Sequence, residues 1–355
     1  MAFGGGPPFI TNTELWNGTI WTETSDLAVA RYGLNGSGTQ SAAIASGGFL
    51  PAGPTTGSTE EWNAGIALGA WYTGANLNTG RQSNNNGSGT QTAALLSGGG
   101  TTPAVANTEL YNGTSWSEVN DLNTAKKFTG TSGTQTSTLA FGGENPGSVV
   151  LGNAESWNGY TWTEVSDLNT ARERLAGSGA DNTSALAFGG QSPAISALTE
   201  SWNGSTWTEV NDLNTARTYL TGFGIQTSSL AVGGTITTPG LTNTESWNGT
   251  SWTELNDLNI PIRVAGSAGA DNTSGLVFGG ENVASAALSQ TQSWNGTNWS
   301  NENNLNTARQ FPGGAGTQNS AIGIGGTDGV PLVSTATELW DGTGFITRSI
   351  TTTTE

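Results

Sequence analysis

The fold is decided by residues 167–210, which read DLNTARERLAGSGADNTSALAFGGQSPAISALTESWNGSTWTEV. This stretch holds four short runs of β-forming residues separated by turn formers, and it shows no helical periodicity. Asn203-Gly204 joins two alternating runs, and Asn-Gly is a strong hairpin signal because a type I′ turn needs positive φ at both central residues. The segment therefore predicts four strands, the third and fourth being antiparallel neighbours.

The same unit recurs along the chain roughly every 46 residues. Each unit has a Gly-Gly pair after its second predicted strand, and its Trp residues fall in two fixed slots that flank the hairpin turn. The first aromatic slot is occupied by Trp16, Trp62, Tyr111, Trp157, Trp202, Trp247, Trp294 and Trp340. A basic residue recurs ahead of the first predicted strand at Arg31, Arg81, Lys126, Arg172, Arg217, Arg263 and Arg309. Four-stranded units in tandem are typical of β-propeller blades.

The order of these residues resembles the kelch repeat: a basic residue, an apolar strand ending in Gly-Gly, an acidic residue two before an aromatic, and then a second Trp. The resemblance covers nearly the whole chain, although Trp16 and Trp21 are only five residues apart, closer than in most kelch motifs. Phrases such as NTESWNGTSWTEL also resemble repeat proteins of marine and cyanobacterial phages. The first resemblance implies an all-β, kelch-like β-propeller of four-stranded antiparallel blades, and the second implies a virion-associated protein.

The number of blades follows from the number of hairpins. Eight hairpins but only seven first strands can be counted, so we expect one domain over residues 1–355 with eight blades in a ring. The alternative is seven blades plus an extra N-terminal segment, Met1–Leu27. An inner strand missing from the first blade would be supplied by the tail Thr343–Glu355 or by a strand of another virion protein.

Composition excludes several chemistries. The 355 residues include no His and no Cys, which rules out Ser-His and Cys-His nucleophile pairs, zinc fingers and disulfides. A formal net charge of −17 makes nucleic acid a poor partner. No secretory signal pattern is visible, and no apolar run approaches the roughly 18–20 residues of a membrane span, so we expect no membrane partner.

The repeated charges are predicted to be structural. A residue present in nearly every blade does something that every blade needs, whereas a catalytic pair must break the symmetry. We therefore expect ion pairs between the repeated cations, such as Arg172, Arg217 or Arg263, and the repeated carboxylates. These carboxylates are Glu14, Glu60, Glu109, Glu155, Glu200, Glu245 and Glu338, with Gln292 in the same register. The sequence predicts no catalytic, cofactor-binding or metal-binding residues, so metal chelation is expected to leave the fold unchanged.

The units differ most in the loop after Gly-Gly, whose length and composition vary while the other turns are nearly constant. Such loops lie on one face of a propeller, and loops on a rigid scaffold often carry recognition. We expect a non-enzymatic phage virion component made in the host cytoplasm: a capsid decoration, or a tail, baseplate or fibre protein for host attachment. Its partners would be other virion proteins or a host-surface glycan or receptor, and oligomeric assembly stays open.

Two other functions stay open. The first is an extracellular, lectin-like propeller that binds glycans. The second, more remote, is a glycan-active enzyme: the turn Asp341–Phe345 resembles the Asp-box of sialidases, but a sialidase needs three axial Arg, and only Arg174 and Arg348 stand outside the repeated slot. Irregular unit spacings of 45 to 49 residues argue against a designed consensus protein.

Overall fold

The structure is a computed structural model. It describes residues 2–5, 10–16, 21–24, 27, 29–38, 42–46, 49–51, 59–63, 69–82, 87–100, 103–237, 240–282, 284–327 and 333–342. Contacts divide the chain into a smaller unit built on Met1–Leu68 and a larger unit, Gly69–Gly342. The expectation of one domain over residues 1–355 stays a prediction.

The smaller unit contains two antiparallel sheets of three strands each among its described residues. The first sheet consists of β1 (Ala2–Gly5), β2 (Ile10–Trp16) and β3 (Trp21–Thr24), and the second of β4 (Asn35–Gly38), β5 (Ala42–Ser46) and β6 (Thr59–Asn63). By the order of the repeat, the first sheet has the second to fourth strands of a blade, and the second sheet has the first to third. Each is therefore a partial blade.

The larger unit contains the other strands. They are β7 (Ala70–Thr73), β8 (Gly87–Thr90), β9 (Ala93–Ser97), β10 (Thr108–Tyr111), β11 (Trp116–Val119), β12 (Gly130–Thr134), β13 (Ser137–Phe141), β14 (Ala154–Trp157), β15 (Trp162–Val165), β16 (Ala176–Asp181), β17 (Ser184–Phe188), β18 (Thr199–Trp202), β19 (Trp207–Val210), β20 (Thr221–Ile225), β21 (Ser228–Val232), β22 (Thr244–Trp247), β23 (Trp252–Glu254), β24 (Gly266–Asp271), β25 (Ser274–Phe278), β26 (Thr291–Trp294), β27 (Trp299–Asn301), β28 (Gly313–Thr317), β29 (Ser320–Ile324) and β30 (Thr337–Asp341).

These strands form a six-bladed β-propeller of four-stranded antiparallel blades within the described part of the larger unit. Blade I is β8–β11, blade II β12–β15, blade III β16–β19, blade IV β20–β23 and blade V β24–β27. Blade VI combines β28, β29 and β30 with β7, which is its outermost strand. The inner strands contact one another in a closed circle, since β28 of blade VI contacts β8 of blade I.

The prediction of eight blades is wrong, and so is the alternative of seven. The reason lies in β7. Its Trp71 fills the second aromatic slot of the repeat that begins at Arg31, yet β7 pairs with β30, and Trp71 lies opposite Trp340. Because the outer strand of blade VI comes from before blade I, the ring closes at six blades without β1 to β6.

Two sets of contacts bind each blade to the next. The second Gly of each Gly-Gly pair donates its N–H to the carbonyl that precedes the neighbouring inner strand, as Gly143 does to Arg172 at 2.8 Å. Gly326 of blade VI makes the same bond to Arg81 of blade I at 2.9 Å. These Gly residues have positive φ, and a Cβ at the first Gly of the pair, for example Gly142, would lie 2.6 Å from the Arg172 carbonyl. Only glycine suits this approach.

The second-slot Trp residues make the other inter-blade contact. Trp162 of blade II donates its indole N–H to Thr108 of blade I at 3.0 Å, and Trp71 donates to Thr291 of blade V at 2.9 Å. The same bond joins Trp116, Trp252 and Trp299 to Thr337, Thr199 and Thr244. β7 thus fills the fourth-strand position of blade VI in its hydrogen bonding as well as in its pairing.

A narrow cavity of about 90 Å³ lies on the ring axis. Its walls are the middle residues of the six inner strands, Ser88, Ser132, Ser178, Phe223, Ala268 and Ala315, with their glycine neighbours. Apart from Phe223, whose ring lies against Gly269 and Gly275 of blade V, these residues are small because six strands converge on the axis. Across the described residues we find no helix long and apolar enough to cross a membrane.

Candidate functional site at the axial face

The repeated charges lie inside the blades. Five of the repeated cations among the described residues reach a carboxylate on the third strand of the blade they precede, and both side chains are at most 3% exposed. The pairs are Arg81–Glu109 at 2.6 Å, Lys126–Glu155 at 3.3 Å, Arg172–Glu200 at 2.9 Å, Arg217–Glu245 at 3.2 Å, and Arg309–Glu338. The predicted ion pairs are confirmed for these positions.

Arg172 shows what such a pair does. Its guanidinium donates to Glu200 at 2.9 Å and to the carbonyls of Gly189 at 3.1 Å and Leu198 at 2.6 Å. The other oxygen of Glu200 accepts from the backbone and side-chain N–H groups of Asn169 at 2.7 and 2.9 Å. Burial lowers the pKa of Arg172, and the Glu200 carboxylate opposes that effect. The pair therefore holds the incoming connection against the third strand and is a structural element.

In blade V the prediction that Arg263 is one of the repeated, paired cations is wrong. Arg263 does not occupy the repeated slot, because Ile262 lies there and its carbonyl accepts the Gly234 N–H. The carboxylate is replaced as well, by Gln292, whose amide oxygen accepts from the Asn259 N–H at 2.9 Å. The cation and the carboxylate have thus been exchanged together for a neutral pair. Arg263 instead pairs with Glu281 at 3.2 Å, nearer the surface.

A second register, two residues after the slot, forms the rim of the axis. Its residues in blades II to VI are bulky and have φ between 52° and 57°, a region that non-glycine residues seldom adopt. They are Phe128, Arg174, Tyr219, Val264 and Phe311. From blade III onward each N–H donates to the carbonyl of the preceding member, at 2.8 to 3.0 Å. Such strain, repeated around one axis, is a feature that often marks functional sites.

Three rings from alternate blades meet at this rim. The centroids of Phe128, Tyr219 and Phe311 are 6.1 to 6.2 Å apart, so the rings form a triangle across the axis. The Arg174 guanidinium carbon lies 5.1 Å from the Phe128 centroid and 4.7 Å from the Tyr219 centroid. We call these four residues the axial cluster. It brings three aromatic rings and a cation from different blades together at the axis.

Three ion pairs lie at or next to the axial cluster, and each includes the residue directly after the slot. Lys127 pairs with Glu144 at 3.4 Å, Arg174 with Glu173 at 3.2 Å, and Arg263 with Glu281 at 3.2 Å. Isolated bridges join the residue after the slot to the first residue after Gly-Gly, for example Lys127 to Glu144. The variable loops therefore start on the same face as the axial cluster. We call the axial cluster and these six charged side chains together the axial face.

Glu173 has the most perturbed carboxyl on this face. Burial, and then the neighbouring Glu144 carboxyl, raise the pKa of Glu173 to about 7, against the lowering effects of Arg174 and Gln191. Burial works against ionisation of Glu144 too, but the Glu173 and Ser148 hydrogen bonds and Lys127 lower its pKa. The pKa values of the two carboxyls thus shift in opposite directions, and Glu173 is the one that keeps a proton to higher pH.

This arrangement predicts a pH dependence of stability. Because the pKa of Glu173 rises from 4.5 to about 7 on folding, the native state binds more protons than the unfolded chain between these values. Its contribution is complete below pH 4.5 and is lost as the pH rises through about 7. We expect Glu173→Gln to remove a downward slope of the unfolding free energy over this range, measured by urea titration. Glu209→Gln, at an exposed position, is the control and should keep the slope; equal slopes in both variants would refute the assignment.

Two aspartates stabilise the matching turns between the first and second strands of blades III and V. Asp181 and Asp271 accept hydrogen bonds from the backbone N–H two residues on, both at 2.8 Å, and the bonds to Thr183 and Thr273 lower their pKa. Over the described ranges no three His, Cys, Asp or Glu side chains are grouped so that they could hold a metal ion. The tail Thr343–Glu355, for which a closing role was predicted, lies outside the described residues.

The axial cluster was missed by sequence reasoning. Its members occupy one register of the repeat but differ in residue type from blade to blade, so the repeat pattern does not reveal them. A signal was present: an aromatic residue follows the slot cation by two positions in alternate units, at Phe128, Tyr219 and Phe311. Comparison with protein-family models gives no match for this chain, and a search of curated proteins gives none either.

Proposed function

We propose that the protein is a non-enzymatic recognition protein that binds a surface carbohydrate through the axial face of its propeller. The observation that carries this proposal is the axial cluster. Three half-buried aromatic rings and an Arg break the repeat at the axis, in strained conformations, and the variable loops start around them. Aromatic rings present apolar faces to the C–H groups of sugars, and strained bulky residues are retained where function needs them.

The sequence supports a biological setting for this function. The order of cation, Gly-Gly, Glu-x-Trp and Trp supports membership of the kelch-type propellers, since these residues have structural roles in the blades: the ion pair in five of them and the Gly-Gly contact in all six. The shared phrasing with phage repeat proteins supports a place in a virion, on the tail, baseplate or capsid surface. A recognition protein in that position would attach the particle to its host.

A glycan array tests the binding function. Wild-type protein is expected to bind a subset of immobilised glycans, and the double variant Phe128→Ala/Tyr219→Ala is expected to lose that binding while keeping its melting temperature within a few degrees. Tyr160→Ala is the matched control, because Tyr160 is an aromatic residue 80% exposed on a hairpin turn. Binding that survives in the double variant, or is lost in the control, would argue against recognition at the axial face.

The virion setting has its own test. Mass spectrometry of purified particles is expected to find the chain at a stoichiometry of several copies per particle. Its presence only in the cell lysate would contradict a virion location without affecting the proposed recognition of carbohydrate.

A further inference from the structure

We propose that the axial face selects carbohydrates that carry a carboxylate, such as uronate or sialate sugars, through the Arg174 guanidinium. This inference rests on the proposed function and specifies its ligand. It depends on where the accessible positive charge of the molecule lies, on the unfilled hydrogen-bonding capacity of Arg174, and on the rings beside it.

Accessible cations are confined to this face within the described part of the chain. Lys127, Arg174 and Arg263 have side chains 27%, 23% and 13% exposed. The remaining described cations are at most 2% exposed: Arg31, Arg81, Lys126, Arg172, Arg217 and Arg309. In a chain of net charge −17, the axial face is thus the described surface on which an anionic group finds a positive partner.

Arg174 differs from the slot residue Arg172 in what it donates to. The Arg172 guanidinium donates hydrogen bonds to Glu200 and to two backbone carbonyls. Arg174 has one ionic partner, Glu173 at 3.2 Å, and its guanidinium makes no hydrogen bond to the other described residues. Its neighbours Phe128 and Tyr219 are aromatic rings, which do not use up its N–H donors. A planar guanidinium with free donors matches a carboxylate in two-point contact.

Glu173 competes with such a ligand, and its protonation decides how strongly. The carboxyl that faces Arg174 is itself next to Glu144, Gln191 and Tyr219, and Glu144 is held by Lys127. A protonated Glu173 does not neutralise Arg174, so an incoming carboxylate can replace it as the counter-ion. The pKa of about 7 keeps this form populated near neutrality.

The aromatic rings and the net charge of the protein further restrict the chemical class of the ligand. Phe128, Tyr219 and Phe311 lie within reach of a group bound at Arg174, and their apolar surface suits a pyranose ring rather than a free inorganic anion. Dense polyanions are disfavoured, because the charge of −17 repels them at long range. A short acidic saccharide with few carboxylates fits both the aromatic rings and the negative net charge.

The experiment uses matched ligands and the full chain. Binding of an α-1,4-linked oligogalacturonate, of 3′-sialyllactose, and of their neutral counterparts, the carboxyl-reduced oligomer and lactose, is measured by isothermal titration calorimetry at pH 6 and pH 8. We expect at least one acidic ligand to bind about tenfold or more tightly than its neutral counterpart, and more tightly at pH 6. The acidic ligand that binds identifies uronate or sialate as the source.

Variants decide the role of Arg174. Arg174→Gln should abolish the preference for the acidic ligand, and Arg174→Lys should restore part of that preference. Lys127→Gln is the comparison variant, because it removes a different positive charge from the same face. Thermal melting of each variant verifies folding. Equal binding of acidic and neutral ligands at the axial face would overturn this inference and leave the proposed function intact. Absence of binding to any sugar would overturn both.

Discussion

Trp71→Ala is expected to destabilise the propeller by about 3–5 kcal/mol, the usual cost of truncating a buried Trp. Trp71 is 6% exposed, and its ring lies 4.8 Å from Phe278 and 5.4 Å from Trp340. Its indole N–H donates to Thr291 of blade V. The loss is concentrated at the blade that closes the ring, so urea denaturation should show a lower midpoint and a broader transition.

Two controls separate closure from ordinary surface effects. Tyr72→Ala alters the next residue of the same strand, which is 46% exposed, and should change the unfolding free energy by less than about 0.5 kcal/mol. Deletion of residues 1–68 should leave the six-bladed unit folded, because every strand pair of Gly69–Gly342 lies within it. Extending the deletion through Thr73 removes β7 and should abolish cooperative unfolding. A cooperative ring without β7 would show that another segment closes it.

Glu200→Ala is expected to cost about 3–5 kcal/mol, because it leaves the Arg172 guanidinium charged, buried and without its counter-ion. It also removes the acceptor for the Asn169 N–H groups. Arg172→Ile should be similarly costly, since Glu200 then keeps an uncompensated charge. Both effects are measured as unfolding free energies at pH 7.

Blade V provides the rescue for this experiment. It carries Ile262 and Gln292 in the same two positions, so Arg172→Ile/Glu200→Gln transfers a pair that the fold already accepts. The double variant should lose less unfolding free energy than the sum of the losses in Arg172→Ile and Glu200→Gln, by about 1–3 kcal/mol. Additive losses would mean that the two side chains do not act as a pair.

Much of the fold follows from local sequence. The strands, the hairpins at Asn-Gly, the Gly-Gly approach and the Trp slots depend on residues within one unit, and each was predictable because the physics is local. The predicted type I′ turn is wrong, because the loop has four residues, such as Asn158–Thr161, and of its Asn-Gly pair only Gly159 has positive φ. The number of blades was not predictable. The third strand of every blade offers β7 a similar partner. The pairing of β7 with β30 therefore depends on how many blades complete the ring. The one local sign is that Trp62 and Trp71 are nine residues apart, whereas Trp16 and Trp21 are five apart.

The site was predictable in its structural half only. Ion pairs such as Arg172–Glu200 follow from equal numbers of repeated cations and carboxylates, since buried charges need partners. The assignment of Arg263 failed because Ile262, one residue earlier, holds the slot in blade V. The axial cluster could not be derived from one unit, because Phe128, Tyr219 and Phe311 meet only when alternate blades converge on the axis.

The most direct test of the six-bladed ring uses the absence of cysteine from the chain. Tyr72 of β7 and Leu339 of β30 are directly opposite each other, and Ser201 and Thr208 hold the same register in blade III. Tyr72→Cys/Leu339→Cys should therefore oxidise to an intramolecular disulfide about as readily as the control pair Ser201→Cys/Thr208→Cys, as read by peptide mapping under non-reducing conditions. A control pair that links while the Tyr72–Leu339 pair stays reduced would contradict closure by β7 and, with it, the six-bladed ring.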